Sequence, residues 1–148
     1  MTLQTTTAPD GSAATLNMRL PATADSLAVF RDGLRGWLEE LTLHPAEIFD
    51  VVLACSESLT LVIEERPKQV ALVVDVNAVH EGDTLSVTTR DYGLWHESHT
   101  EEREEPLSLS LMRSLMDSVE LERHPDGQTI RLSRRVRVLG DERRALLI

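Results

Sequence analysis

Apolar residues in this chain recur with a helical period in some segments and a strand period in others, and this pattern constrains the fold most. Two stripes with a spacing of three or four residues each predict a helix with one buried face. The first stripe consists of Leu27, Phe30, Leu34, Trp37 and Leu41. The second consists of Ile48, Val52, Cys55, Leu59 and Val62. Pro45 suits the first turn of the second helix, which is expected to stop before Pro67, because proline disfavours a helical residue ahead of it.

Elsewhere the apolar period falls to two, which predicts strands. The alternating residues fall into five groups: Leu16, Met18 and Leu20; Val70, Leu72, Val74 and Val76; Leu85, Val87 and Thr89; Val119 and Leu121; Ile130 and Leu132. Helical spacing returns between Leu107 and Asp117, which predicts a third helix. The order strand, helix, helix, strand, strand, loop, helix, strand, strand predicts an α+β fold. We expect a two-layer sandwich in which three helices cover one face of a mixed, mostly antiparallel sheet.

The chain has 148 residues and 41% hydrophobic content, enough for one domain with a substantial core. Residues 1–14 are rich in Thr, Ala, Gly and Ser and predict a flexible N-terminal tail. The domain is expected over residues 15–138, and residues 139–148 are interpreted as a charged C-terminal tail. From Asp91 to Pro106 there is no apolar periodicity, which predicts a long polar loop that is rich in glutamate.

The charge balance narrows the class of partner. A net charge of −10 and a pI near 4.9 disfavour nucleic acid and anionic lipid surfaces, and leave basic protein surfaces as reasonable partners. One cysteine, Cys55, excludes an intramolecular disulfide framework, and its apolar setting indicates an inert buried thiol. No run of 18 apolar residues occurs and the N-terminus lacks a signal pattern, so the expected location is the cytoplasm.

Residue chemistry taken alone gives few candidates. Phosphate-binding motifs of the G-x-x-x-x-G-K-[ST] and G-x-G-x-x-G types are absent. His96 and His99 are three positions apart, and a metal site needs more than two ligands, so no metal site is expected. Glu57, near the apolar stripe of the second helix, is either a solvent-facing carboxylate or a buried base. Asp91, at a strand end, either caps a turn or is directed at a ligand.

Several segments resemble the histidine-kinase-like ATPase domain of anti-sigma factor serine kinases, from about Leu16 to Val136. The first is "LNMRLPATADSLAVFRDGLRGWLEEL" and the second is "HPAEIFDVVLACSESLTLVIEE". In that family the second helix carries a glutamate that activates the attacking group and, four residues later, an asparagine that holds magnesium. Glu57 stands at the glutamate position, but Leu61 replaces the asparagine. Leucine offers no oxygen to Mg²⁺, which argues against metal-assisted phosphoryl transfer.

The remaining motifs of the resemblance are altered in part. The family's Asp-x-Gly-x-Gly, whose aspartate binds the adenine amino group, is similar to Asp91-Tyr92-Gly93-Leu94-Trp95. Asp91 and Gly93 are retained, whereas Trp95 replaces the second glycine, and Tyr92 and Trp95 are candidates to fill the adenine space instead.

The family's phosphate-binding Gly-x-Gly aligns with Pro106 and Ser108, and Pro106 has no N–H to donate. Gly127 and Thr129 correspond to the last motif, although a plain hairpin also explains them. The resemblance therefore implies a remnant nucleotide site of Asp91, Gly93, Ser108, Gly127 and Thr129.

The acidic loop corresponds to the lid that folds over the triphosphate in the family. Its glutamates would repel phosphate, unless the loop is merely solvated and swings clear of the site.

The resemblance implies an anti-sigma-factor-like regulator of transcription that acts by partner switching, with lost or weakened binding of ATP and magnesium. Its expected partners are a sigma factor or an anti-anti-sigma antagonist protein, and family members of this type pair as homodimers. No cofactor is expected in this interpretation. The alternative is an active ATP- and magnesium-dependent serine/threonine protein kinase with Glu57 as the catalytic base. A second alternative is a protein-interaction domain unrelated to sigma factors.

Overall fold

A computed structural model describes residues 2–7, 13–65, 72–93 and 106–139 of the chain. The helices are α1 (Ala24–Glu40), α2 (Pro45–Glu65) and α3 (Leu107–Leu115). The strands are β1 (Thr2–Thr7), β2 (Ala13–Pro21), β3 (Val73–Glu81), β4 (Thr84–Asp91), β5 (Ser118–His124) and β6 (Gly127–Arg135). The predicted helices and strands all occur in the predicted order.

The six strands form one sheet in the order β1-β2-β3-β4-β6-β5, and all five pairings are antiparallel. The mixed pairing expected from the sequence therefore does not occur among the described strands. The reason lies in the two connections that contain helices. The first connection contains α1 and α2 and returns the chain to the sheet as β3, which runs antiparallel beside β2. The second connection contains α3 and joins β4 to β5, but β6 lies between β4 and β5, so β4 and β5 do not pair.

The helices cover one face of the sheet, and the two-layer sandwich is confirmed. Along β2, Leu16, Met18 and Leu20 are buried, whereas Asn17 and Arg19 point to the opposite, open face. The same alternation runs through β3, β4 and β6. Each fully buried aliphatic side chain contributes about 1.5–3 kcal/mol to the free energy of unfolding, which is why the alternation fixes the register of the strands.

Helix α2 lies between α1 and α3 in the helical layer and contacts β4 beneath it. Its N-terminus is capped by His44, whose Nδ1 accepts a hydrogen bond of 3.1 Å from the Ala46 N–H. In the middle of the helix, the buried Ser58 hydroxyl shares a hydrogen bond of 3.2 Å with Oγ1 of Thr89 on β4. These contacts fix the position of α2 along the sheet, and so fix where Glu57 and Leu61 lie.

The N-terminal prediction is wrong in part, because residues 2–7 form β1 rather than a tail and β2 begins at Ala13. All six side chains of β1 are exposed, so the strand has no apolar alternation to reveal it. It forms because its backbone pairs with β2 and because Leu3 lies against α1, where a Cβ on Gly33 would be only 3.0 Å from Leu3 Cδ1.

The predicted C-terminal tail begins one residue too early. The Leu139 N–H donates a hydrogen bond of 2.9 Å to the carbonyl of Thr42, and Val138 pairs with Leu43. The end of the described chain is therefore attached to the α1–α2 connection. Residues 94–105 of the predicted acidic loop, which include Trp95, His96 and His99, lie outside the described residues.

Candidate functional site

Asp91 ends β4 and is fully buried at the edge of the helical layer. Its Oδ1 accepts two backbone hydrogen bonds of 3.2 Å, one from the Gly93 N–H and one from the Gln128 N–H. The first bond closes a turn immediately after β4, and the second joins β4 to β6. Asp91 therefore caps a turn, as one interpretation of the sequence had it, and its carboxylate is held in one orientation by two strands.

Gly127 lies directly against this turn. Its φ angle is +151°, and a Cβ placed on it would lie 2.0 Å from the carbonyl oxygen of Asp91. No side chain fits at that distance, so only glycine allows β6 to approach the end of β4 this closely. Gly93 is also crowded, since a Cβ there would be 3.0 Å from Leu72 Cδ1. The structure thus brings three of the predicted residues together: Asp91, Gly93 and Gly127.

Thr129, also predicted for this site, is not part of the cluster. It faces the open side of the sheet, where its Oγ1 accepts a hydrogen bond of 3.2 Å from Arg90. Gln128 faces inward instead and is fully buried beside Asp91. Ile130 and Leu132 point inward on β6, so strand alternation places Gln128 on their side and Thr129 on the other. This alternation was available in the sequence, and it identifies Gln128 as the residue that was missed.

The Gln128 side chain connects the cluster to the end of α2. Its Oε1 accepts a hydrogen bond of 3.1 Å from Arg123 Nε, and Arg123 forms an ion pair of 3.4 Å with Glu65. Among the described residues, no acceptor lies within hydrogen-bond distance of Gln128 Nε2, although the atom is buried. A buried amide donor of this kind is unfavourable unless another group satisfies it.

Tyr92 does not fill an adenine space, contrary to the expectation from the sequence. Its side chain is 49% exposed, and its hydroxyl donates a hydrogen bond of 2.6 Å to Asp75 Oδ2 on the open face. Arg19 also binds Asp75, through bonds of 2.7 and 2.9 Å, and lowers the pKa of that carboxyl. The Arg90 guanidinium stacks over the Tyr92 ring at 5.2 Å. Tyr92 is therefore held on the face opposite to the helices.

Glu57 and Ser108 form the second half of the candidate site. The Ser108 hydroxyl, in the first turn of α3, donates a hydrogen bond of 3.0 Å to Glu57 Oε2 on α2. Glu57 is half-buried, so it is neither fully solvated nor a fully buried base. The contact brings together two predicted residues that are 51 positions apart in the sequence. One oxygen of the Glu57 carboxylate is thus hydrogen-bonded to a serine of the same chain.

Comparison with protein families gives a match to the histidine kinase-like ATPase domain over residues 20–134. The chain belongs to this family. Its six-stranded antiparallel sheet and three helices have the architecture of the histidine-kinase-like ATPase fold. Comparison with curated proteins gives no match.

Among solved structures, the chain is similar to the crystal structure of the RsbU and RsbW domains of Rv1364c from Mycobacterium tuberculosis. The sequence identity is 25%, the TM-score is 0.66, and the similarity covers 82% of this chain. It covers only 32% of that chain, so this protein spans about a third of the length of the neighbour. The chain therefore shares its fold with a structure that contains an RsbW domain.

Two positions of this family member do not fit a magnesium-bound triphosphate. Leu61, at the position where the resembled kinases hold the metal, is 3% exposed and belongs to the hydrophobic core. Its side chain has no atom that can bind Mg²⁺. Pro106 immediately precedes α3 and supplies no N–H at the start of that helix. The residues around Asp91 form a well-defined turn. At the positions that the resemblance assigns to magnesium and phosphate, Leu61 offers no oxygen and Pro106 offers no N–H.

Two further observations concern the whole histidine-kinase-like ATPase domain. Cys55 is completely buried, and burial raises the pKa of its thiol, so it is no candidate nucleophile. Within the described ranges, each helix is too short or too polar to cross a membrane.

Proposed function

We propose that this protein is an anti-sigma-factor-like regulator of transcription that acts by binding and exchanging protein partners in the cytoplasm. In this proposal, ATP and magnesium binding are lost or weakened, and no cofactor is required. The expected partners are a sigma factor, an anti-anti-sigma antagonist, or both, and the chain itself pairs as a homodimer. Membership of the histidine-kinase-like ATPase family and the similarity to a structure containing an RsbW domain support the class of function.

The observation that carries the loss of catalysis is the burial of Leu61 in the core. A side chain that binds Mg²⁺ must present an oxygen to the metal. An aliphatic side chain that is 3% exposed instead contributes to the packing of α2 against its neighbours. The change therefore converts a binding position into a stabilising one, and reversing it would destabilise the protein.

The Ser108–Glu57 hydrogen bond supports the same proposal. A general base must be within reach of the hydroxyl or water that it deprotonates. Glu57 Oε2 already accepts a hydrogen bond of 3.0 Å from the Ser108 hydroxyl on α3. This bond ties the start of α3 to α2, where the resembled kinases leave space for phosphate. The contact acts as a structural cross-link between two helices.

The charge of the chain supports a basic protein surface as partner. With 25 acidic and 15 basic residues, the protein attracts such a surface over a distance of about one Debye length, roughly 8 Å at physiological salt. The rate of association is then expected to fall as salt is added. A partner that binds equally fast at low and high salt would contradict this part of the proposal.

A kinase is the second candidate, because the turn around Asp91 is well formed. Its carboxylate is positioned by the Gly93 and Gln128 N–H groups, and Gly127 allows the close approach of β6. If this half of the site still binds adenine, the chain retains nucleotide affinity without the metal. An active kinase would in addition transfer phosphate to an antagonist protein, with Glu57 as its base.

Isothermal titration of ATP into the purified chain, with and without magnesium, tests the proposal directly. We expect either no heat or weak binding that magnesium does not strengthen. Asp91→Asn removes the positioned carboxylate, and Asp126→Asn, an exposed aspartate on the β5–β6 turn, serves as the matched control. Weak binding that is lost in the first variant and kept in the second would locate a metal-independent remnant site at Asp91.

Magnesium-dependent binding at micromolar affinity, or transfer of labelled phosphate to an antagonist protein, would move the kinase interpretation to first place. Capture experiments address the third possibility, in which the chain is an interaction domain unrelated to transcription. If purified sigma factors and antagonists of the family type all fail to bind, the assignment to sigma regulation is wrong even though the fold is right.

A further inference from the structure

A groove on the outer surface of the helical layer, between α1 and α2, has a volume of about 660 Å³. Leu43, Ile48 and Val52 form buried apolar parts of its lining. Phe49 also lines the groove, and its side chain is 67% exposed. A large aromatic ring that stands in solvent beside an apolar groove is unfavourable in the isolated chain and becomes favourable when it is covered.

One end of the groove carries a preorganised positive charge. Arg31 donates a hydrogen bond of 3.1 Å from Nε to Oγ of the buried Ser56, and Ser56 in turn donates to the Val52 carbonyl at 2.6 Å. These bonds hold one edge of the guanidinium and leave its terminal nitrogens for another acceptor. In the part of the chain that the structure describes, no carboxylate forms an ion pair with Arg31, although the protein is strongly acidic.

The charge changes sign along the groove. Arg35 lies one turn after Arg31 on α1 and also lines the groove, where it pairs with Asp32 at 3.6 Å. Glu39 lines the groove one further turn along the same helix. Eight residues separate Arg31 from Glu39, which at 1.5 Å per residue is about 12 Å, or slightly more than two helical turns. An occupant of matching length meets a basic surface at one end and an acidic side chain at the other.

We propose that this groove binds an amphipathic helix of a partner protein. The helix presents apolar side chains at spacing i, i+3 or i+4, and i+7, and carries a carboxylate at the end that lies over Arg31. An arginine held at one edge is well suited to bind a carboxylate with its terminal nitrogens. The proposal goes beyond the function proposed above and does not depend on nucleotide binding.

A helix fits the groove better than an extended segment does. An extended segment on this apolar surface would leave backbone N–H and C=O groups without partners, whereas a helix satisfies its own backbone. Two neighbouring helices also form a natural seat for a third, whose side-chain ridges enter the groove between them.

The groove and the candidate site lie on different sides of α2. Successive residues of a helix are rotated by about 100°, so Glu57 points away from the direction of Ser56. Ser56 faces α1 and the groove, whereas Glu57 faces α3. A ligand in the groove therefore leaves the Ser108–Glu57 contact accessible, and the two sites are separable by mutation.

The test starts from a displayed library of helical peptides of about four turns, in which the positions on one face are randomised. Selection on the immobilised full chain is expected to enrich an apolar stripe that ends in Asp or Glu. A fluorescent copy of an enriched peptide is then titrated with each variant. Phe49→Asp is expected to weaken binding about thirtyfold, as loss of an aromatic anchor does. Arg31→Glu is expected to weaken it about tenfold, and a Lys in place of the peptide carboxylate restores binding to that variant.

Matched controls lie outside the groove. Leu107→Asp changes an apolar residue that is 84% exposed on α3, and Arg131→Glu reverses an exposed charge on the open sheet face. Both are expected to bind the peptide like the unmodified chain. All four altered side chains are exposed, and circular dichroism melts verify that the variants fold.

Several results would overturn the proposal. One is a selection that yields no amphipathic acidic peptides, and another is binding that neither Phe49→Asp nor Arg31→Glu weakens. Sensitivity to Phe49→Asp alone would refute the assigned carboxylate. If Phe49→Asp changes the oligomeric state of the protein in solution, the occupant of the groove is a second copy of this chain. If the double variant Leu146→Asp/Leu147→Asp binds the peptide about tenfold more tightly, residues 140–148 compete with the peptide and are the occupant of the groove.

Discussion

Replacing Leu61 with asparagine tests whether this position has become part of the core. The two side chains have similar shapes, so the change creates little cavity and acts through chemistry. A Leu side chain that is 3% exposed contributes about 1.5–3 kcal/mol by burial. A buried amide without partners costs about 1–3 kcal/mol more. The free energy of unfolding is therefore expected to fall by about 3–5 kcal/mol, a large part of the roughly 5–15 kcal/mol typical of a domain.

Urea denaturation followed by far-ultraviolet circular dichroism measures this loss. Leu59→Asn is the matched control, because Leu59 is fully buried on the same helix and is expected to lose a similar amount. Leu61→Met, which conserves volume, is expected to lose less than about 1.5 kcal/mol. Titration with ATP and magnesium accompanies each measurement, and Leu61→Asn is expected to gain no magnesium-dependent binding. A loss below about 1 kcal/mol together with magnesium-dependent ATP binding would refute the reasoning, since position 61 would then face a binding site.

Three further predictions concern single positions. Gly127→Ala is expected to lower the free energy of unfolding by at least about 3 kcal/mol, because the new Cβ would lie 2.0 Å from the Asp91 carbonyl oxygen. Gly82→Ala is the control: Gly82 has a φ of +63° and lies in open space, so this change is expected to cost about 1 kcal/mol. Equal losses for the two variants in urea denaturation would contradict this prediction. Burial lowers the pKa of His80, so its contribution to stability is complete above about pH 6.5, the unfolded value, and decreases as the pH falls towards the folded value. His80→Gln is expected to flatten stability-versus-pH curves in that window, and unchanged curves would show that other groups cause the dependence. Cys55 is expected to react with a thiol reagent only after denaturation, since the native thiol is fully buried and its pKa is raised, and rapid labelling of the native chain would disprove this.

The helices and central strands were predictable because their apolar patterns directly report burial. The stripe from Leu27 to Leu41 corresponds to α1, and the alternation before Pro21 corresponds to β2. β1 was not predictable in this way, because every side chain of this edge strand, Thr2–Thr7, is largely exposed and no buried face imposes a pattern. Its existence depends on backbone pairing with β2, which a sequence pattern does not encode.

The candidate site was predictable only where backbone geometry decides it. Asp91 and Gly127 could be identified because a turn and a close approach require particular residue types. The contact between Ser108 and Glu57 could not, since it depends on how α3 packs on α2 across 51 positions. Thr129 lies apart from this cluster because the alternation of β6 directs it to the open face and places Gln128 inward.

The pairing of β2 with β3 has a consequence for how the chain folds. Asn17 and Asn77, which are hydrogen-bonded across these strands, are 60 positions apart, and both α1 and α2 lie between them. The helical pair can form from local contacts, but β2 must wait for β3 before its inner edge is covered. Closure of such a long loop is entropically unfavourable and slows folding. During synthesis, β2 therefore exposes a bare strand edge until the two helices and β3 have followed it, and this interval is when the chain is most prone to pair with the wrong strand.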